Sequence, residues 1–210
     1  MGVAAIAAFV LGRAWIEGYL RSDRFRQFVS ARTSETLKAN GAFTPFKVAG
    51  TSFYSDEFVA HGGPEAWFGE MRIDQVRADV SPRRFFEKVW QIDRVSAQRV
   101  DIALSAPRAV LLPSPPRSAD RRPGRKGGGW LPDRVEIENA QILQTNLSWG
   151  DRAENAGSIQ GTSLTIRPRE SGWDFTGAGG RLVHANLPPL DVTTLQLRYR
   201  EPALFIQSAS

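Results

Sequence analysis

The sequence contains no cysteine and only two histidines, His61 and His184. A disulfide framework and a thiolate metal site are therefore excluded, and imidazole is too scarce for a histidine-rich metal centre. Absence of cysteine also fits a cell-envelope protein. The apolar run at the start, Gly2 to Leu11 (GVAAIAAFVL), stops at Gly12-Arg13 and falls short of the ~20 residues that span a bilayer as a helix. Three readings of it stay open: the end of a transmembrane anchor, the core of a signal peptide, or an ordinary buried helix end. The first is preferred, because no basic region precedes the run and no small-x-small cleavage pattern follows it. Trp15 and Tyr19 would then lie at an interfacial aromatic belt or pack on the body that follows.

Catalytic patterns are missing too. There is no Gly-x-Ser-x-Gly elbow, no phosphate loop, no metal-ligand spacing, and no His paired with a carboxylate in a short motif. With no nucleophile and base together, no catalytic, metal or cofactor-binding residue is expected and the chain reads as a non-enzyme. Gly177-Ala-Gly179-Gly180 lacks the following helix of a phosphate cradle, so it predicts a bulge or a close strand approach. His61, before Gly62-Gly63, reads as a turn residue and His184 as a strand end.

What remains is ordinary folded-protein composition: 210 residues, 41% hydrophobic and 23% charged. The formal charge is +5, and its placement matters more than its size. From Ala106 to Gly129 six basic residues (Arg108, Arg117, Arg121, Arg122, Arg125, Lys126) face only Asp120, so this one segment carries the whole excess. A basic surface tracking a phosphate backbone is not supported, and no nucleic-acid partner is expected. The same segment has five prolines between Pro107 and Gly129 and three consecutive glycines, the composition of a linker or disordered loop.

Four regions follow: residues 1–21, a membrane-proximal helix; 22–104, an amphipathic helix and a first sheet section; 105–129, the Pro/Arg/Gly-rich linker; and 130–210, a second sheet section expected to continue beyond the chain. Ser22 is a suitable N-cap with Asp23 in the first turn, Phe25, Phe28, Val29 and Leu37 form an apolar stripe, and Asn40-Gly41 predicts the stop. Period-two patterning then predicts strands over 43–52 and 53–60, with Gly62-Gly63-Pro64 as a turn.

Residues 70–104 organise the rest. Met71 and Ile73, then Val76, Ala78 and Val80, alternate with polar residues but change phase at Gln75, as a half-buried strand with a bulge would. Ser81-Pro82 opens about two turns of predicted helix. Trp90 to Leu104 then repeats the strand pattern with the same kind of phase change. Past the linker, strands are predicted over 131–149, 158–166, 172–183, 190–199 and 203–207, a sequence of short strands and turns that favours an antiparallel meander.

The N-terminal apolar run, the helix beginning Asp23-Arg24-Phe25, and the order strand, short helical link, Ile92-Asp93-Arg94-Val95, Val100-Asp101-Ile102 resemble the start of AsmA-like proteins of Gram-negative envelopes. The likeness spans roughly residues 4–104, and Val135-Glu136-Ile137-Glu138-Asn139-Ala140 is compatible with it. The resemblance implies an inner-membrane anchor, a periplasmic body built as a long curved antiparallel sheet with an apolar concave face, and a part in phospholipid transport or outer-membrane assembly. The expected fold is mainly β: N-terminal anchor and amphipathic helix, then the curved meander, with one short helix between strands.

Independently of that likeness, strand after strand carries an apolar stripe, and only one substantial helix is available to cover them. Exposed apolar area costs roughly 25 cal/mol per Å². The sheet must therefore close on itself, pair with an envelope protein partner, or hold membrane lipid by its acyl chains. The groove reading nominates Ile73, Val76, Ile92, Val95, Val100, Ile102, Val135, Ile137, Leu164, Ile166, Leu195 and Leu197 as lining residues. The alternative is a structural or assembly module with a closed core and a strand-pairing edge.

Overall fold

The computed structural model describes residues 18, 20–81, 87, 89–104, 134–169, 172–200 and 203–209. The anchor expected over 1–21, apart from its last residues, lies outside them, as do the linker and nearly all of the short helical link. Among the described residues no helix is long and apolar enough to cross a membrane.

Helix α1 (Asp23–Leu37) begins as the sequence predicts: the Ser22 hydroxyl accepts the Phe25 N–H, and Asp23 occupies the first turn. It ends earlier than predicted. Lys38 adopts left-handed backbone (φ 55°), its N–H closes onto the Glu35 and Ser34 carbonyls, and Asn40-Gly41 already belong to a strand.

Among the described residues thirteen strands form one mixed sheet. They are β1 (Ala39–Phe43), β2 (Lys47–Ala49), β3 (Ser52–Gly62), β4 (Phe68–Ser81), β5 (Val89–Leu104), β6 (Arg134–Ile137), β7 (Ala140–Trp149), β8 (Gly157–Arg169), β9 (Gly172–Ala178), β10 (Arg181–His184), β11 (Leu187–Asp191), β12 (Thr194–Arg200) and β13 (Ala203–Ala209). The spatial order is β1-β3-β4-β5-β7-β8-β9-β12-β13, with β2, β6, β10 and β11 attached at its margins. The meander expectation needs one correction: β5 pairs with both β6 and β7 in parallel. Parallel neighbours need a crossover of a dozen residues or more, and residues 105–133 supply that length. Smaller corrections follow from breakers. Pro45 separates β1 from β2; Gly179 and Gly180, both at positive φ, divide the predicted 172–183 strand into β9 and β10; and His61 lies within β3, opposite Glu70, rather than in a turn.

The core sits under α1. Phe25 packs with Leu20, Val48 and Trp90, and Val29, Phe46 and Phe53 close around them; the Phe25 ring lies 5.4 Å from Trp90 and 5.7 Å from Phe46. At the other end of the helix, Leu37 packs against a second cluster of Phe58, Ala60, Phe68 and Met71. Phe53 and Phe58 are five residues apart, so an uninterrupted strand would turn them to opposite faces. Both nonetheless lie under the same helix. The strand must change phase between them, and it does so at buried Ser55 and exposed Asp56.

The same change recurs in the neighbouring strands at the same level. In β4 it falls at Gln75, whose backbone is left-handed (φ 52°); in β5 between buried Ala97 and Val100; in β7 between Ile142 and Thr145; and in β8 at Gly161 (φ 75°). Register shifts mark the β7/β8 pair there. A line of irregularities thus crosses the sheet and keeps one face apolar on both sides of it.

Helix α1 also closes one sheet edge. The Ser30 and Ser34 hydroxyls accept the outward N–H groups of Phe43 and Gly41, Ser34 returns a bond to the Gly41 carbonyl, and Arg26 donates to the Phe43 carbonyl. Backbone groups that would otherwise template another strand are therefore satisfied. At the opposite edge, β13 has β12 as its one ladder neighbour among the described residues.

Candidate functional site: the apolar face

Register places side chains on one face in continuous rows. One row runs Phe53, Ala78, Val95, Ala140, Ile166, Phe175, Leu197, from β3 to β12. Beside it, Val76 lies opposite Ser55, and Ile142, Leu164, Gly177 and Leu195 continue across β7, β8, β9 and β12. Beyond the phase change the rows are Phe58, Ile73, Val100, Thr145, Thr162 and Ala60, Met71, Ile102, Leu147, Ile159, Leu182, Leu190.

The sequence-nominated residues fall into these rows in distinct ways. Val95, Ile166 and Leu197 share the first, Val76, Leu164 and Leu195 the second, and Ile73 faces Val100 in the third. Ile92 pairs with Ile137, and Val135 stands beside Trp90 at the β5/β6 margin. They are not equally open, however. Val100 is buried, and Ile73 and Ile102 pack against the Phe58–Met71 cluster beneath α1. Those three belong to the core. Ile142, Leu164, Ile166, Phe175, Leu195 and Leu197 are half-buried, as Ile73 and Ile102 are, but belong to neither buried cluster. Sequence reading missed Phe53, Ile142, Leu147, Ile159 and Phe175 as members of this surface, although each sits at an apolar phase of its strand; only register reveals which phase faces α1.

Elements with substantial contact are ladder neighbours, plus α1 on β1. The two buried apolar clusters of the described residues lie under α1, and neither includes a residue of β7, β8, β9 or β12. Two polar atoms interrupt the face: the Thr145 and Thr162 hydroxyls, opposite each other, are buried without a hydrogen-bond partner. Thr162 lies where the chain crosses at Gly180, and a Cβ there would stand 2.2 Å from the Thr162 hydroxyl. The glycine-rich stretch is thus a close approach, as its sequence predicts, and not a phosphate cradle.

The reverse face is polar and cross-linked by charge. Arg72 bridges Glu57 (2.6 Å) and Asp74 (3.2 Å), and Asp79 accepts from Ser52 (2.6 Å) and Arg77 (2.9 Å). The Ser52 hydroxyl, followed by Arg77, holds the Asp79 carboxyl below the usual carboxylate range. A concavity of about 730 Å³ opens on this face along the β5/β7 junction, lined by Arg72, Arg99, Asp101, Gln144 and Asn146 among others. Asn146 ties the junction together, donating to Asp101 (2.6 Å) and accepting from the Gly161 N–H (2.9 Å).

Compared with known family models, curated proteins and solved structures, the chain matches none. Among the described residues no group of His, Cys, Asp or Glu side chains is placed to hold a metal ion.

Proposed function

We propose that this protein is a non-catalytic, membrane-anchored component of a Gram-negative envelope whose apolar sheet face receives phospholipid acyl chains, as part of lipid handling or transport between membranes. One observation carries the proposal: apolar rows cross seven strands from Phe53 to Leu197, and past β5 their large apolar side chains are half-exposed and belong to neither buried cluster. A surface of that extent is an interaction surface in a soluble body. Alkyl chains fit a long stripe of Val, Ile, Leu and Phe because they need area and length, and no directional bonds. The N-terminal apolar run and the resemblance described above supply the membrane and periplasmic parts of the reading.

A second reading, an assembly module that pairs strands with other envelope proteins, is favoured by the outer edge of β13, which has no ladder partner among the described residues. Native mass spectrometry with lipid extraction separates the two. The full chain, expressed in a Gram-negative host, is expected to carry phospholipid that is lost in the Val95→Asp/Leu197→Asp variant while far-ultraviolet dichroism is retained. A lipid-free folded protein would leave the assembly reading in its place.

A further inference from the structure

On the polar face, the row next to Ile166, Phe175 and Leu197 consists of Arg167, Asp174, Arg198 and Phe205. Successive strand residues point to opposite faces, so this row lies on the other side of the sheet from the apolar rows. Asp174 is largely covered (side chain 16% exposed) and accepts from Arg198 Nε at 2.8 Å and from Arg169 Nε at 2.7 Å. Each guanidinium is therefore gripped through its inner nitrogen, and its terminal nitrogens make no hydrogen bond among the described residues. Arg167, directly across the ladder from Asp174, is exposed and makes no hydrogen bond or ion pair among the described residues. Arg200, two residues beyond Arg198, is likewise exposed and unpaired. Among the described residues Arg167, Arg169, Arg198 and Arg200 thus share this end of the polar face with one carboxylate, Asp174.

We infer that Arg169 and Arg198, oriented by Asp174, form with the neighbouring Arg167 a binding site for a phosphate group. The chemistry is specific. Guanidinium forks match a tetrahedral oxyanion bidentately, and a carboxylate that fixes the Nε atoms removes the rotamer freedom such a site would otherwise lose on binding. Cross-strand neighbours lie about 5 Å apart, a spacing that lets adjacent forks share one phosphate. Phe205, 53% exposed, is the next residue in the row after Arg198. An exposed aromatic beside this arginine cluster suits the headgroup layer of a membrane, where rings sit among phosphates. A phosphate ester in solution offers the same oxyanion without a surface for that ring. The inference does not depend on lipid occupying the apolar face.

The test uses the full chain and two probes: glycerol 3-phosphate in solution, followed by isothermal calorimetry, and vesicles of phosphatidylcholine with or without phosphatidylglycerol, followed by co-sedimentation. Wild type is expected to bind at least one phosphate-bearing probe. Arg167→Gln, which removes no internal bond, should weaken that binding about tenfold, and Arg167→Gln/Arg198→Gln further still. The control Arg152→Gln/Arg181→Gln, which removes two charges at the opposite ends of the strands, should leave it unchanged. Binding in solution identifies a soluble ester; binding confined to phosphatidylglycerol vesicles identifies the headgroup. No binding in either arm, or equal loss in the cluster and control variants, overturns the inference.

Discussion

Gln75 offers the sharpest test of how the sheet keeps its apolar face. It is an exposed, non-glycine residue at φ 52° in the middle of β4, at the level where five strands change phase. Left-handed backbone costs an ordinary residue about 1–2 kcal/mol, and glycine escapes that cost while losing about 0.5–1 kcal/mol of chain entropy on folding. Gln75→Gly should therefore be neutral to about 1 kcal/mol more stable than wild type. Gln75→Val removes few contacts but places a β-branched side chain where it is least tolerated. At a regular strand position valine exceeds glycine by roughly 1 kcal/mol; here the order should invert, with glycine ahead by about 1–2 kcal/mol. Urea unfolding followed by tryptophan fluorescence reads this as a midpoint difference of about 0.5–1 M at an unchanged slope. A valine variant as stable as the glycine variant would show that β4 runs straight through Gln75, and the shared face would lose its explanation.

The remaining expectations concern packing, edge and charge. Phe58 is fully buried, with its ring 4.4 Å from Phe43, so Phe58→Ala should cost about 3–5 kcal/mol in the same unfolding assay, whereas Phe175→Ala, on the open part of the face, should cost far less. Ser34→Ala removes one donor and one acceptor at the β1 edge, with about 1–2 kcal/mol of destabilisation and faster amide exchange at Gly41. The lowered Asp79 carboxyl contributes stability that is complete above its ordinary pKa of about 3.9 and is lost as pH falls through its lower folded value. Ser52→Ala should move the Asp79 titration upward when followed by carboxyl carbon chemical shift, and an unmoved titration would remove Ser52 as the main cause.

Much of this architecture is written in the residues as period and punctuation. Ser22 caps α1 because its hydroxyl can, and the phase change at Gln75 is visible as the step from Met71 and Ile73 to Val76, Ala78 and Val80. Strand direction is different, because alternation reads the same forwards and backwards. The parallel join of β5 to β6 and β7 therefore leaves no mark beyond the length of the segment between them. Lys38 as a left-handed cap was also illegible, since nothing in a lysine side chain favours that backbone. The candidate surface shows a similar division. Its members are ordinary apolar residues, and which of them pack on the buried cluster under α1, like Ile73 and Ile102, and which do not, like Ile166 and Leu197, depends on where α1 lies, a tertiary fact. The Asp174 cluster needed register as well, because Arg167 and Arg198 meet only through β9.

The central claim is tested most directly by photo-crosslinking in living cells, with a photoreactive amino acid placed in turn at Leu164, Ile166 and Phe175 on the apolar face and at Gln141 and Gln144 on the reverse, away from the Asp174 cluster. Phospholipid adducts are expected at the first three positions and not at the other two. Adducts on both faces alike, or on neither, would contradict a lipid-bearing apolar face.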